Sequence, residues 1–267
     1  MTIKRLRCSK TFESEKLLRI SDSVKEQLYT CVQKQFKQTS KLPAEYTQIS
    51  DSINLNGYLM LRTGYRLSEL GKAIHGIYDI CPEKCNLNEL LTFLTERVRP
   101  YFAENKWHIK LSLCKESVSV NVDKEKLCCM IIELLFNAIE NSPFAVKIKI
   151  ALTHTKKFAK ISVYDKGRGL DRDVILHCFE PFFSTHNPKN KAHLGIGLAL
   201  AKYFALKSDG RICCSSSEEK GSCFSLYLPI EEIAKAPETV SIPSPDFDTP
   251  LSYFDITLSG IENCKKL

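Results

Sequence analysis

The stretch DKEKLCCMIIELLFNAIENSP, residues 123–143, carries two patterns at once. Leu127, Ile131, Leu134, Leu135 and Ala138 fall at helical spacing and make one apolar face. Asp123 stands where a cap belongs. Glu133 and Asn137 lie four residues apart, away from that face, with Glu140 and Asn141 a turn further on. A carboxylate and an amide stacked in this way can hold Mg²⁺ or orient water through oxygen, or they can simply form a solvated polar face.

Two alternating stretches, VKIKIAL and AKISVYD, follow this helix and read as paired strands. The second ends in Asp165 and runs into Gly167 and Gly169. Glycines there suit a tight turn, or let backbone approach a flat ligand. A carboxylate at a strand end can accept a hydrogen bond from an exocyclic amine. Further on, Phe179, Phe182 and Phe183 lead into a polar loop with Lys189 and Lys191. That loop delivers the chain to HLGIGLALAKYF, residues 193–204, where Gly195 and Gly197 head an apolar helix. Glycine costs about 1 kcal/mol inside a helix relative to alanine. Bare backbone here serves either a close packing contact or an anion on the free N–H groups of the helix start. A mobile basic loop beside such a start would act as a lid. Two more strands, RICCSS and SCFSLYLP, close the region.

Upstream, NLNELLTFLTERV starts a helix with Asn86 as cap and Glu89 three residues on. WHIKLSL and SVSVNV alternate and read as a hairpin. Residues 86–230 thus mix helices with about six strands, which argues for an α+β sandwich, a sheet covered on one face by helices. Before them, residues 20–36 and 46–78 read as a helical hairpin broken at Pro43. Ile53, Met60, Leu67 and Ile74 recur every seven residues, and so do Gly57, Gly64 and Gly71. The two stripes suggest closely packed helices. Pro82 ends the hairpin region. The expected organisation is a helical region over 1–82, a sandwich domain over 83–232, and a flexible proline-rich tail over 233–267 that includes APETVSIPSPDFDTP.

A net charge of +7 permits an anionic ligand, but the basic residues are dispersed, so no nucleic-acid partner is expected. No apolar run is long enough to span a membrane, and no apolar core follows the basic N-terminus, so the expected location is cytoplasmic. The twelve cysteines then read as reduced thiols filling apolar space. Cys81 and Cys85 in CPEKC lack a second pair at finger spacing and are not read as a zinc site.

Taken in order, the stretches resemble the ATP-binding domain of sensor histidine kinases, within the superfamily that also holds gyrase-, Hsp90- and MutL-type ATPases. ELLFNAIENSP resembles the asparagine box, DKGRGL the first glycine box, FEPFFST the phenylalanine box, and GIGLALAKYF the second glycine box. The resemblance covers roughly residues 86–230 and implies a two-layer α/β sandwich. It also implies roles. Asn137 would hold Mg²⁺ against the phosphates of ATP. Asp165 would bind the adenine amine, with Ser222 as its partner. Gly167 and Gly169 would make room for the base. Gly195 and Gly197 would offer N–H groups to the phosphates. Glu133 would serve as a metal ligand or as a general base.

The sequence departs from the family pattern at Lys166, where Asn is common, at His186, where a basic residue is common, and at His193, where a further glycine is usual. The family's phosphoacceptor histidine belongs on the first helix of a dimerising hairpin, yet residues 1–74 contain no histidine. His75, in KAIHGIYD, is the first in the chain and lies near the end of the second helix. The resemblance therefore implies a homodimeric, ATP-dependent phosphotransferase of a two-component system, with a response regulator or another signalling protein as partner. The missing acceptor leaves open a nucleotide-binding regulatory module that does not transfer phosphate.

Overall fold

A computed structural model of the chain describes residues 22–77, 80–104, 107–142, 147–184, 194–217 and 220–235. The chain divides into two compact units at Asp79–Ile80.

In the first unit, α1 (22–39) and α2 (Thr47–Ile74) are joined through a 3₁₀ turn at Ala44–Tyr46 that follows Pro43. The glycine stripe lies between the helices. A Cβ on Gly57 would stand 3.0 Å from Val32 Cγ1, and one on Gly64 3.0 Å from Leu28 Cδ1. Both are tighter than ordinary contact, so small residues let the helices approach. Gly71 meets nothing and does not share that role. Val32, Leu61 and Leu70 are buried, and the rings of Phe36 and Tyr58 meet at a tilt of 41° with centroids 4.6 Å apart. The other stripe faces outward. Ile53, Met60, Leu67 and Ile74 are exposed, as is Ile49.

The second unit contains β1 (Glu83–Asn86), α3 (Leu87–Glu104), β2 (His108–Ser112), β3 (Glu116–Val122), α4 (Lys124–Glu140), β4 (Lys147–His154), β5 (Phe158–Asp165), α5 (Arg172–His177), α6 (Gly197–Lys207), β6 (Arg211–Ser217), β7 (Gly221–Pro229) and β8 (Glu232–Lys235). Five strands form one sheet in the order β2-β4-β5-β7-β6, and three form another in the order β1-β3-β8. α4 and α6 cover one face of the larger sheet. Their apolar faces (Leu127, Ile131 and Leu135; Ala201, Phe204 and Ala205) are buried, as are Ile150, Ile161, Phe224 and Leu226 of the sheet. Both expected caps form. Asp123 accepts from Lys126 N at 3.0 Å, and Asn86 accepts from Asn88 N at 3.0 Å while donating to Glu89 at 2.8 Å.

The expected hairpin of WHIKLSL with SVSVNV does not form. Both stretches are strands, but β2 pairs parallel with β4, and β3 pairs with β1 and β8. Alternation marks a half-buried strand without naming its neighbour. β3 has both edges taken, and its Val118, Val120 and Val122 are buried. β8 lies where the composition reads as the start of a tail, so ordered chain continues to Lys235. It is a short, charged strand at the sheet edge, the kind that composition conceals. Residues 236–267 of the expected tail lie outside the described residues.

Candidate functional site

The C-terminal end of α4 meets the end of β5, and the candidate residues gather there. Asp165 is buried, and its Oδ1 accepts from Gly167 N at 2.8 Å and from Ser222 N at 3.2 Å. Its Oδ2 is buried with no hydrogen-bond partner. Burial pushes the carboxyl above its ordinary pKa, and hydrogen bonds from backbone N–H groups, those of Gly167 and Ser222 first, and from the Ser222 hydroxyl offset part of that rise. One carboxylate oxygen thus takes two backbone donors, while the other is buried with no hydrogen-bond partner.

Gly167 is imposed by this geometry. A Cβ there would stand 2.3 Å from Asn141 O and 2.9 Å from Asp165 Oδ1. Asn141 is itself buried. It donates through Nδ2 to Asn137 O at 2.8 Å and to Asn137 Oδ1 at 3.2 Å. Asn141 Oδ1 and Asn137 Nδ2 are buried without partners. Unsatisfied buried polar atoms cost about 1–3 kcal/mol each, and three of them lie together here, on Asn137, Asn141 and Asp165. Glu133 is buried too, one turn earlier on α4, so it is not part of a solvated face.

Gly195 resolves the question raised by the second glycine pair. Its φ is +63°, and a Cβ would stand 2.2 Å from Phe183 O. Its carbonyl accepts from Phe182 N at 3.0 Å. Packing against the phenylalanine stretch demands glycine at this position. Gly197 opens α6, whose cap residue Ile196 makes no side-chain hydrogen bond, so no cap side chain takes up the first N–H groups of the helix. Gly169 takes a positive φ of +76° in the turn after β5. Phe179 packs edge-on to Phe224 at 6.1 Å, anchoring this segment to the sheet. The loop with His186, Lys189, Lys191 and His193 lies outside the described residues.

Two contributors escape sequence reasoning. Ser216 Oγ accepts from Leu170 N at 2.8 Å, donates to Gly221 O at 2.8 Å and lies 3.0 Å from Ser222 Oγ. It ties the glycine turn to the β6–β7 hairpin. Gly221, with φ +84°, brings that hairpin against Asp165 O, where a Cβ would come within 2.1 Å. The SSSEEKGS run offers a turn signal at Gly221, but nothing in it marks Ser216 among its neighbours. His75 is the C-cap of α2 and is exposed.

Residues 122–232 match the family described as Histidine kinase-, DNA gyrase B-, and HSP90-like ATPase. The adaptive-response sensory kinase SasA of Gloeothece citriformis is 26% identical over 208 residues, which take in 78% of this chain and 48% of that protein. The sensor histidine kinase RppB of Synechocystis sp. is 28% identical over 190 residues, 68% of this chain and 42% of that one. The chain thus spans about half the length of the curated relatives it matches. Among solved structures, full-length ShkA in complex with AMPPNP aligns with a TM-score of 0.68 at 18% identity, over 83% of this chain and 46% of that one. The described helices and mixed sheet have the fold of histidine kinase catalytic domains. Among the described residues, no helix is long and apolar enough to cross a membrane.

Proposed function

We propose that this chain, whose residues 122–232 match the histidine-kinase-like ATPase family, binds Mg-ATP at the junction of α4, β5 and the start of α6. The observation that carries the reading is Asp165, pinned through Oδ1 and open at the buried Oδ2. An adenine amine is a donor of the right kind for that oxygen. Gly167 would lie along the base. Asn137, with Glu133 one turn before it on α4, supplies side-chain oxygen for Mg²⁺ beside the phosphates. The start of α6 at Gly197 would turn its N–H groups to the same phosphates. Titration calorimetry with ATP and Mg²⁺ tests this. Asp165→Ala should weaken binding sharply, and equal affinity for the two proteins would remove the basis of the proposal.

The exposed stripe of Ile53, Met60, Leu67 and Ile74 supports a homodimer through the hairpin, since an apolar seam at heptad spacing fits a second helix. Within such a dimer, the proposed role is phosphotransfer in a two-component system, with a response regulator as partner. One observation favours a second reading, a nucleotide-binding regulator that transfers no phosphate. No histidine stands on α1, and His75 is the C-cap of α2. Incubation with γ-labelled ATP followed by an acid-lability test separates the two.

A further inference from the structure

At the other end of β4 and β5 from Asp165, three ligating side chains converge. Cys114 lies in the turn before β3, Glu116 begins β3, and His154 ends β4. One ligand atom from each lies within 4.8 Å of the other two. His154 pairs with Ala159 across the ladder, six residues from Asp165, so at about 3.3 Å per residue the cluster sits roughly 20 Å from the nucleotide floor.

The imidazole is oriented for ligation. His154 Nδ1 is 3.1 Å from the Thr155 carbonyl, which can only accept, so Nδ1 carries the proton. Nε2 is then the ring nitrogen turned to the cluster, 3.4 Å from Glu116 Oε2. A ligating histidine whose other nitrogen donates to a carbonyl is the usual support of a metal site. The other two ligands are also held. Asn88, buried at the start of α3, donates to Cys114 O at 3.4 Å and to Glu116 O at 3.1 Å, and accepts from Val118 N at 3.0 Å. The turn that carries the thiol and the carboxylate is therefore fixed from below.

We propose that Cys114, Glu116 and His154 form a binding site for a zinc-class divalent ion, with water in the fourth position. A thiolate, a carboxylate and a neutral imidazole sum to two negative charges and neutralise such an ion. Thiolate and imidazole select zinc over magnesium or calcium. Binding breaks the Cys114 S–H bond, forms the S–metal bond and releases the proton to solvent. Glu116 belongs to the three-stranded sheet and His154 to the five-stranded one, so the ion would clamp the two sheets together.

Cobalt is the probe, titrated into the full chain after chelator treatment and without nucleotide. Wild type should develop tetrahedral ligand-field bands and a thiolate charge-transfer band, both displaced by zinc. Cys114→Ser should abolish the charge-transfer band. His154→Gln should weaken cobalt binding by ~100-fold, the upper end of what even a lost supporting partner costs. Zinc should raise the thermal midpoint of wild type and leave both variants unmoved. Survival of the band in Cys114→Ser, which would place the metal on another cysteine, overturns the proposal. So does equal affinity in His154→Gln, or an equal zinc-induced rise in all three proteins. Nucleotide is absent throughout, so failure here leaves the ATP reading standing.

Discussion

Asp165→Asn is the most informative single change in the molecule, because the two carboxylate oxygens have different duties. Oδ1 accepts from Gly167 N and Ser222 N, and both donors are buried. They need an acceptor, so the asparagine carbonyl oxygen must take that place. The amide nitrogen is then forced into the position of Oδ2, where it points a donor at the donor of the adenine amine. The lost charge-assisted hydrogen bond costs about 1.5–3 kcal/mol, or roughly 10–150-fold in Kd. Inosine triphosphate carries a carbonyl where adenine carries its amine, and the new amide N–H can donate to it. Competition calorimetry should therefore show a large loss for ATP, and a shift of the ATP-to-inosine-triphosphate preference by ~10-fold or more toward the latter. An equal loss for both nucleotides, with an unchanged melting curve, would refute the assignment of Oδ2 to the base.

The same residue sets a pH signature. Burial raises the Asp165 carboxyl above its unfolded value. Its protonation therefore favours the folded state, and that stabilising contribution is complete below the unfolded pKa and lost as pH rises through the folded one. Nucleotide binding runs the other way, because only the carboxylate accepts twice at Oδ1 while leaving Oδ2 open to a donor. Acidification through the raised pKa should weaken ATP binding in wild type while the nucleotide-free protein gains stability from this group. Asp165→Asn should show neither trend, so the difference between the two proteins isolates it.

Gly167→Ala should destabilise the domain by about 1–3 kcal/mol in thermal melts and abolish ATP binding, because its Cβ would sit 2.3 Å from Asn141 O. If the proposed homodimer forms through this stripe, Leu67→Glu should leave a monomer in light scattering with little change in the melting temperature, since the side chain is exposed in the single chain. Label from γ-labelled ATP should not appear in acid-labile form on the chain by itself. Rapid labelling that His75→Ala abolishes would reverse that expectation and make the chain a complete kinase with its acceptor at the end of α2.

Local chemistry was the legible part of this chain. Caps at Asn86 and Asp123, the apolar faces of α4 and α6, and strand alternation in β4 through β7 follow from short-range periodicity, and those elements stand where the pattern puts them. Pairing was not legible. The partner of β2 lies beyond β3 and α4, and β8 is four residues set in a polar stretch. The order of the glycine and asparagine stretches singled out Asn137, Asp165 and Gly167, which the fold brings close together through Asn141. The burial of Glu133 could not be read, because its spacing places it off the main apolar face, and only the contact of α4 with its neighbours covers it.

Gly195, read in the sequence as ligand chemistry, is required by packing, and the proposed ligand role would follow from that packing. Its bare backbone answers to Phe183 O, which no phosphate requires. Yet that contact fixes where the chain enters α6, two residues before Gly197, and so fixes where the free N–H groups of the helix start can lie. A Gly195→Ala variant would strike Phe183 first and shift the helix entrance as a consequence. It should therefore lower ATP affinity and loosen the phenylalanine segment together, the second seen as faster amide exchange at Phe182, whose N–H is held by Gly195 O at 3.0 Å. If affinity fell with Phe182 exchange unchanged, the glycine would act on the phosphates alone, and the packing argument for this position would be wrong.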